Sequence, residues 1–200
     1  MSFHSYQHIL KITLITCFTI LCFSIRTQAQ TENPLPITQT ENVWRVNFLN
    51  PSLTYEKAMS PKTTLEGSLG FGYNASYPDL AFFSESGFQY ILAVFVDVQS
   101  RYYYNLDKRK AKGKTYSQNA GNYLALRMLY TGPDVASSFI RFDNNSFAVG
   151  PTWGIQRHYG RFNLNYSMGP IYYFNTSGSA NWVPFYFEIN LGFNLSKPKQ

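Results

Sequence analysis

Glu56, Glu66, Asp97, Arg101, Arg127 and Glu188 fall at positions where strand alternation would turn them all to one shared interior. Carboxylates gathered in this way can do acid–base work, or they can neutralise guanidinium groups in a closed space. Acid–base chemistry needs further support, and nothing else in the chain supports Glu56 with Glu66 in that role. Ion pairing needs only opposite charges, which Arg101 and Arg127 supply. Asp97 and Arg101 sit four residues apart on one strand face, so each is expected to pair across to a neighbouring strand. The favoured reading is an internal salt-bridge plug. A narrow polar path or small ligand pocket is the alternative, for which Ser68, Gly70, Gly72, Ala148, Gly150, Gly154 and Gly169 leave room, although Phe95, Tyr103, Tyr123, Tyr186 and Trp182 could fill it.

Nucleophilic catalysis has little to work with. After His4 and His8 the chain holds one histidine, His158, beside the Tyr159-Gly160 turn, and alternation places no serine next to it. It is read as a surface histidine, and no enzyme activity is expected. Cys17 and Cys22 both lie in an N-terminal segment expected to be removed, which leaves no thiolate for metal, disulfide or catalysis. Neither metal-ligand spacing nor a glycine-rich phosphate loop occurs, so no cofactor or metal is expected. Lys108, Arg109, Lys110, Lys112 and Lys114 form a basic turn. Such a block favours anionic headgroups or acidic partners, but a solvated turn that keeps an aromatic rim from aggregating is the preferred reading.

The elements that must position these residues are strands. From Trp182 to Leu195 the odd positions are Val183, Phe185, Phe187, Ile189, Leu191, Phe193 and Leu195, and the even ones are polar, small or aromatic. This phase turns Trp182 inward and Val183 outward. Similar two-residue periods run through Asn50–Lys57, 65–74, 90–101, 123–128, 146–156 and 162–169. An eighth strand is expected within Val43–Leu49, with a bulge or tight turn near Asn50-Pro51 where the phase slips. The pattern predicts an all-β, closed, antiparallel up-and-down transmembrane barrel of about eight strands. Tyr102, Tyr103, Tyr104, Tyr159 and Phe162 would ring one rim; Tyr73, Phe88, Tyr90, Tyr172, Phe174 and Trp182 would ring the other. Outer loops are expected at Ala75–Gly87, Gly132–Asn145 and Asn175–Asn181. A soluble β-sandwich is the competing architecture, since alternation alone does not separate the two.

An apolar run from Ile12 to Ile25, closed by Arg26 and followed by Thr27-Gln28-Ala29, reads as a cleaved signal peptide spanning 1–29. Residues 30–41, with Pro34 and Pro36, read as a flexible leader, 42–195 as the barrel and 196–200 as a tail. Without Lys11 and Arg26, 15 of the 17 basic residues remain against 11 acidic ones, a net charge of +4. One local cluster carries that excess, so no nucleic-acid partner is expected.

Asn47-Phe48-Leu49-Asn50-Pro51 through Lys57, and Arg101-Tyr102-Tyr103-Tyr104-Asn105-Leu106-Asp107-Lys108-Arg109, resemble segments of the small porin-like outer-membrane β-barrel proteins of Gram-negative bacteria. The final Asn190-Leu191-Gly192-Phe193-Asn194-Leu195 is similar to the C-terminal signal read by the outer-membrane insertion machinery, although Ser196 to Gln200 follow where an aromatic terminus is commoner. The resemblance implies an outer-membrane location and partners limited to outer-membrane lipids, the insertion machinery and an envelope partner of unspecified identity. It implies a structural, interaction or accessory role, with a narrow porin or carrier of small hydrophobic molecules as the alternative. It carries no catalytic motif, and the fold supports many functions.

Overall fold

The computed structural model describes residues 38–73, 91–137 and 144–196. The expected signal peptide, the leader before Thr38, the Ala75–Gly87 loop, Phe88 and Tyr90 lie outside the described residues. Eight strands follow one another: β1 (Val43–Asn47), β2 (Ser52–Ala58), β3 (Thr63–Tyr73), β4 (Ile91–Tyr103), β5 (Asn122–Ser137), β6 (Ser146–Tyr159), β7 (Phe162–Asn175) and β8 (Ala180–Asn194). Each pairs antiparallel with the next, and β1 closes the ring onto β8. The β4–β5 connection carries a helix α1 (Leu106–Ala111) and a 3-10 turn, Ser117–Asn119. This end, where β1 also enters and β8 leaves, is called the lower end.

The wall is apolar outside and polar within. Leu53, Leu69, Leu124, Leu126, Met128, Phe187 and Ile189 are exposed on the outer face, whereas Arg45, Thr54, Glu56, Glu66, Gln99, Arg101, Arg127 and Gln156 are buried. Alternation alone produces this split, because successive strand residues face opposite sides. Burying one large aliphatic or aromatic side chain is worth about 1.5–3 kcal/mol, and facing water this wall forgoes that at each exposed position.

The prolines explain where the two-residue period breaks. Pro51 lies in the turn between β1 and β2, so the phase slip there is a turn. Pro151 and Pro170 face each other across β6 and β7, in the stretch between the pairs Val149↔Tyr172 and Trp153↔Met168. Neither can donate to the ladder, and placing them opposite each other confines the loss to one site. Beside them Gly150 and Gly169 let the backbones close: a Cβ on either would meet a proline carbonyl oxygen, at 2.2 Å and 2.3 Å respectively.

Register shifts in β8 and β5 correct the expected phase. Opposite Pro170, β8 slips at Pro184-Phe185, so Ile171 pairs with Val183 while Gly169 pairs with Tyr186. Trp182 therefore faces out, 58% exposed, and Val183 packs inward. In β5 the register shifts around Gly132-Pro133 and the strand runs on to Ser137, where a loop is expected from Gly132. Tyr103, expected both at the rim and among the residues able to fill the interior, is wholly buried inside.

Candidate functional site

The strands bring the charged residues into two linked layers across the lumen. In the lower layer Arg101 grips Glu66 with both arms, Nη1 to Oε2 and Nη2 to Oε1, each at 2.5 Å. Arg45 bridges Glu66 at 3.2 Å and Glu56 at 3.3 Å. Glu56 also accepts hydrogen bonds from Tyr103 Oη at 2.7 Å and Thr64 Oγ1 at 2.8 Å. Gln156 reaches in from β6, donating to Glu56 Oε2 at 3.3 Å and accepting from Arg101 at 3.1 Å. The Arg101 guanidinium lies 4.5 Å from the centre of the Tyr123 ring.

Above it, Arg127 holds Asp97 at 2.9 Å and Glu188 at 2.5 Å, and donates to Tyr186 Oη at 2.8 Å. Gln99 joins the layers, donating to Asp97 at 2.7 Å and accepting from Arg101 Nε at 3.0 Å. All six charged residues expected inside thus meet in one network, and Asp97 and Arg101 pair on different neighbouring strands, β5 and β3. Higher still, Leu129, Ala148, Ile171, Tyr173 and Tyr186 form an apolar layer against Phe95 and Val183. A cavity of about 20 Å³ remains between Arg45, Ser68, Asp97, Glu188 and Asn190. That is roughly the volume of a single water-sized site.

The lower end is floored by the β4–β5 connection. Gln118 and Asn119 are buried in the left-handed region, at φ of 50° and 61°. That conformation costs a non-glycine residue about 1–2 kcal/mol, and side-chain bonds hold it in place. Gln118 donates to the Ser196 carbonyl at 2.6 Å and accepts from Asn194 at 2.8 Å. Asn119 exchanges two hydrogen bonds with the backbone of Glu41, at 2.7 Å and 2.9 Å. Both ends of the barrel chain are thereby tied to one turn. At its edge Lys62 meets Asp107 at 2.7 Å, and Thr38 donates its hydroxyl to the same carboxylate at 2.5 Å. The hydrogen bonds from Lys62 and then Thr38 hold the Asp107 carboxyl below its ordinary range. The same bond to Asp107 raises Lys62.

Comparison of the chain with family models, curated proteins and solved structures gives no match. What the site does must therefore be read from its own geometry.

Three placements differ from expectation. The basic segment is not a turn: Lys108, Arg109 and Lys110 belong to α1, its cap is Lys112, and only Lys114 lies in the following loop. His158 is buried rather than on the surface, and a serine does lie beside it, Ser117 of the floor. Its Nε2 is 2.6 Å from the Ser117 carbonyl oxygen and 3.4 Å from Oγ. A nitrogen donating to that carbonyl cannot accept the hydroxyl proton, so the pair is no activated nucleophile. Arg45 is the residue that sequence reasoning missed, although it completes the lower layer. Its signal was the outward suitability of Trp44 and Val46, which leaves Arg45 facing in. Among the described residues no three histidine, cysteine or acidic side chains gather as metal ligands.

Proposed function

We propose that this chain is an integral outer-membrane β-barrel of the small porin-like kind, exported by a signal peptide. Its role is structural, accessory or interaction-based, neither conducting nor catalytic. The observation that carries the reading is the cross-section formed by Arg45, Glu56, Glu66 and Arg101, which fills the lumen with paired charge. An eight-stranded barrel has an interior just wide enough for side chains to fill. Separating one of these buried pairs costs about 3–5 kcal/mol, a cost that a passing solute would have to repay. The apolar outer wall supports lipid as its surroundings, because hydrocarbon solvates Leu69, Leu126 and Phe187 without the loss that water imposes.

Two measurements test this together. The purified protein should migrate faster on gels unboiled than boiled, and it should give no conductance steps above background in planar bilayers. Discrete steps would overturn the sealed lumen and favour a narrow porin. A soluble protein without a heat shift would overturn the membrane reading.

A further inference from the structure

A second charged assembly sits on the outside of the lower rim, and the lumen network does not use it. Arg157 is at an outward-facing position on β6, in phase with Phe147, Val149, Trp153 and Ile155. It donates to the Asn122 side chain at 2.5 Å and to the Gln156 carbonyl at 2.7 Å, both neutral acceptors. Asn122 donates in turn to Tyr104 Oη at 3.3 Å, which also receives the Trp153 indole N–H at 2.8 Å. Arg109 of α1 is linked to this cluster through Asn105, whose carbonyl accepts the Arg109 backbone N–H at 3.0 Å and whose Oδ1 accepts the Asn122 backbone N–H at 2.7 Å. The Arg109 guanidinium donates to the Thr115 carbonyl at 2.9 Å and 2.6 Å.

Among the described residues neither guanidinium is paired with a carboxylate. The ion pairs among the described residues join Arg45, Lys62, Arg101 and Arg127 to carboxylates and leave out Arg109 and Arg157. Asp107, the carboxylate on α1, is already taken by Lys62 and Thr38. Arg157 and Arg109 thus flank one hydrogen-bonded cluster of Asn105, Asn122, the Tyr104 phenol and the Trp153 indole, at a rim where apolar wall gives way to polar floor. Tyrosine and tryptophan favour the interface between hydrocarbon and headgroups, and guanidinium forks match phosphate oxygens.

We propose that Arg109 and Arg157, framed by Tyr104 and Trp153, bind the phosphate of an anionic phospholipid in the leaflet that the lower rim meets. The proposal rests on the membrane reading above. Lys108, Lys112 and Lys114 add attraction from the same connection, but Arg157 on the wall with Arg109 of α1 makes the contact selective.

Trp153 reports on this site directly. In a Trp44→Phe/Trp182→Phe background, refolded into phosphatidylcholine vesicles, its fluorescence is quenched by lipids carrying bromine on the acyl chains. Brominated phosphatidylglycerol should quench more strongly than brominated phosphatidylcholine at equal mole fraction. Each basic side chain near an anionic surface is worth about fivefold in binding, so Arg109→Gln/Arg157→Gln should lower the preference by up to about 30-fold. General attraction alone would make the same pair of changes at Lys112 and Lys114 equally costly, so a selective site predicts a clearly smaller loss there. Equal quenching by the two lipids in the parent protein would overturn the headgroup site and leave the barrel in the membrane. No quenching by either lipid would overturn the membrane reading itself. A preference that survives loss of both arginines would assign the selectivity elsewhere and refute the site.

Discussion

Replacing Arg101 by methionine removes the most heavily used cation of the lumen. Arg101 makes two bonds to Glu66, one each to Gln99 and Gln156, and a contact with the Tyr123 ring. Methionine fills much of the volume, so the chief loss is charge. Glu66 is then left with Arg45 at 3.2 Å, which Glu56 already shares, and the layer carries one uncompensated buried carboxylate. Breaking a buried pair costs about 3–5 kcal/mol, whereas replacing both partners with apolar groups is often neutral. Arg101→Met/Glu66→Met leaves the balanced Arg45–Glu56 pair, so it should restore the charge balance, while the orphaned Gln99 and Gln156 acceptors cost both variants about 1–3 kcal/mol each. Urea unfolding of the refolded protein in vesicles, followed by tryptophan emission and gel mobility together, measures both variants. If the single variant loses under about 1 kcal/mol, or the double variant loses as much as the single, paired charge is not what holds the lumen together.

Other perturbations probe separate parts of the barrel. Gly154→Ala places a Cβ 2.2 Å from the wholly buried Tyr123 ring and should destabilise by at least about 1–3 kcal/mol, while Gly67→Ala meets nothing within 4 Å and should be neutral or gain up to about 1 kcal/mol; parallel urea midpoints check both. Gln118→Ala removes the bonds to Ser196 and Asn194 and should cost about 1–3 kcal/mol, with limited proteolysis opening first at the lower end. Asp107 is held low, so its contribution is complete above the usual carboxylate pKa of about 3.9 and fades as pH falls through the lower folded value. Lys62 is raised, so its share is complete below about 10.4 and fades as pH rises through the higher folded value. With both side chains about a third exposed, Asp107→Asn should cost under about 1 kcal/mol at pH 7 and progressively less as pH falls below about 3.9; melting curves across that range decide this. Finally, Phe48 N–H bonds to Leu191, so odd residues of β8 address β1, yet the paired register there runs only from Gly192 to Asn194. Ile189 and Phe187 have no β1 partner among the described residues, and their amides should exchange faster than those of Asn190 and Glu188, which point to β7.

Much of this architecture could be read from the chain because a strand face is a local property. Leu65, Leu69 and Phe71 face out and Glu66, Ser68 and Gly70 face in from alternation alone, and the same logic brings Asp97 and Arg101 to the lumen. The failures came where two phases were equally acceptable. Trp182 and Val183 each suit lipid or an apolar interior, so nothing in the residue types betrays the slip at Pro184; only pairing against Ile171 fixes it. Arg45 escaped notice because β1 has five residues, too few for a period to assert itself. The floor was invisible for another reason. Gln118 and Asn119 adopt their left-handed turn because Asn194, Ser196 and Glu41 meet them there, contacts 76 to 78 residues distant in the chain.

The bonds that cross the lumen also set its width. Gln156 on β6 touches Glu56 on β2, Tyr103 on β4 reaches the same carboxylate, and Arg127 on β5 meets Glu188 on β8. These are spans between walls, and their lengths are those of side chains that cannot stretch. Barrel diameter grows roughly in proportion to strand number, so a ten-stranded ring, as one copy could build by accepting a hairpin from another, would be about a quarter wider. Its carboxylates and guanidinium groups would face each other across a gap too wide to bridge. A six-stranded ring would force them into collision. The charges inside this wall therefore act as a gauge, accepting the ring that closes at eight strands and penalising its neighbours on either side.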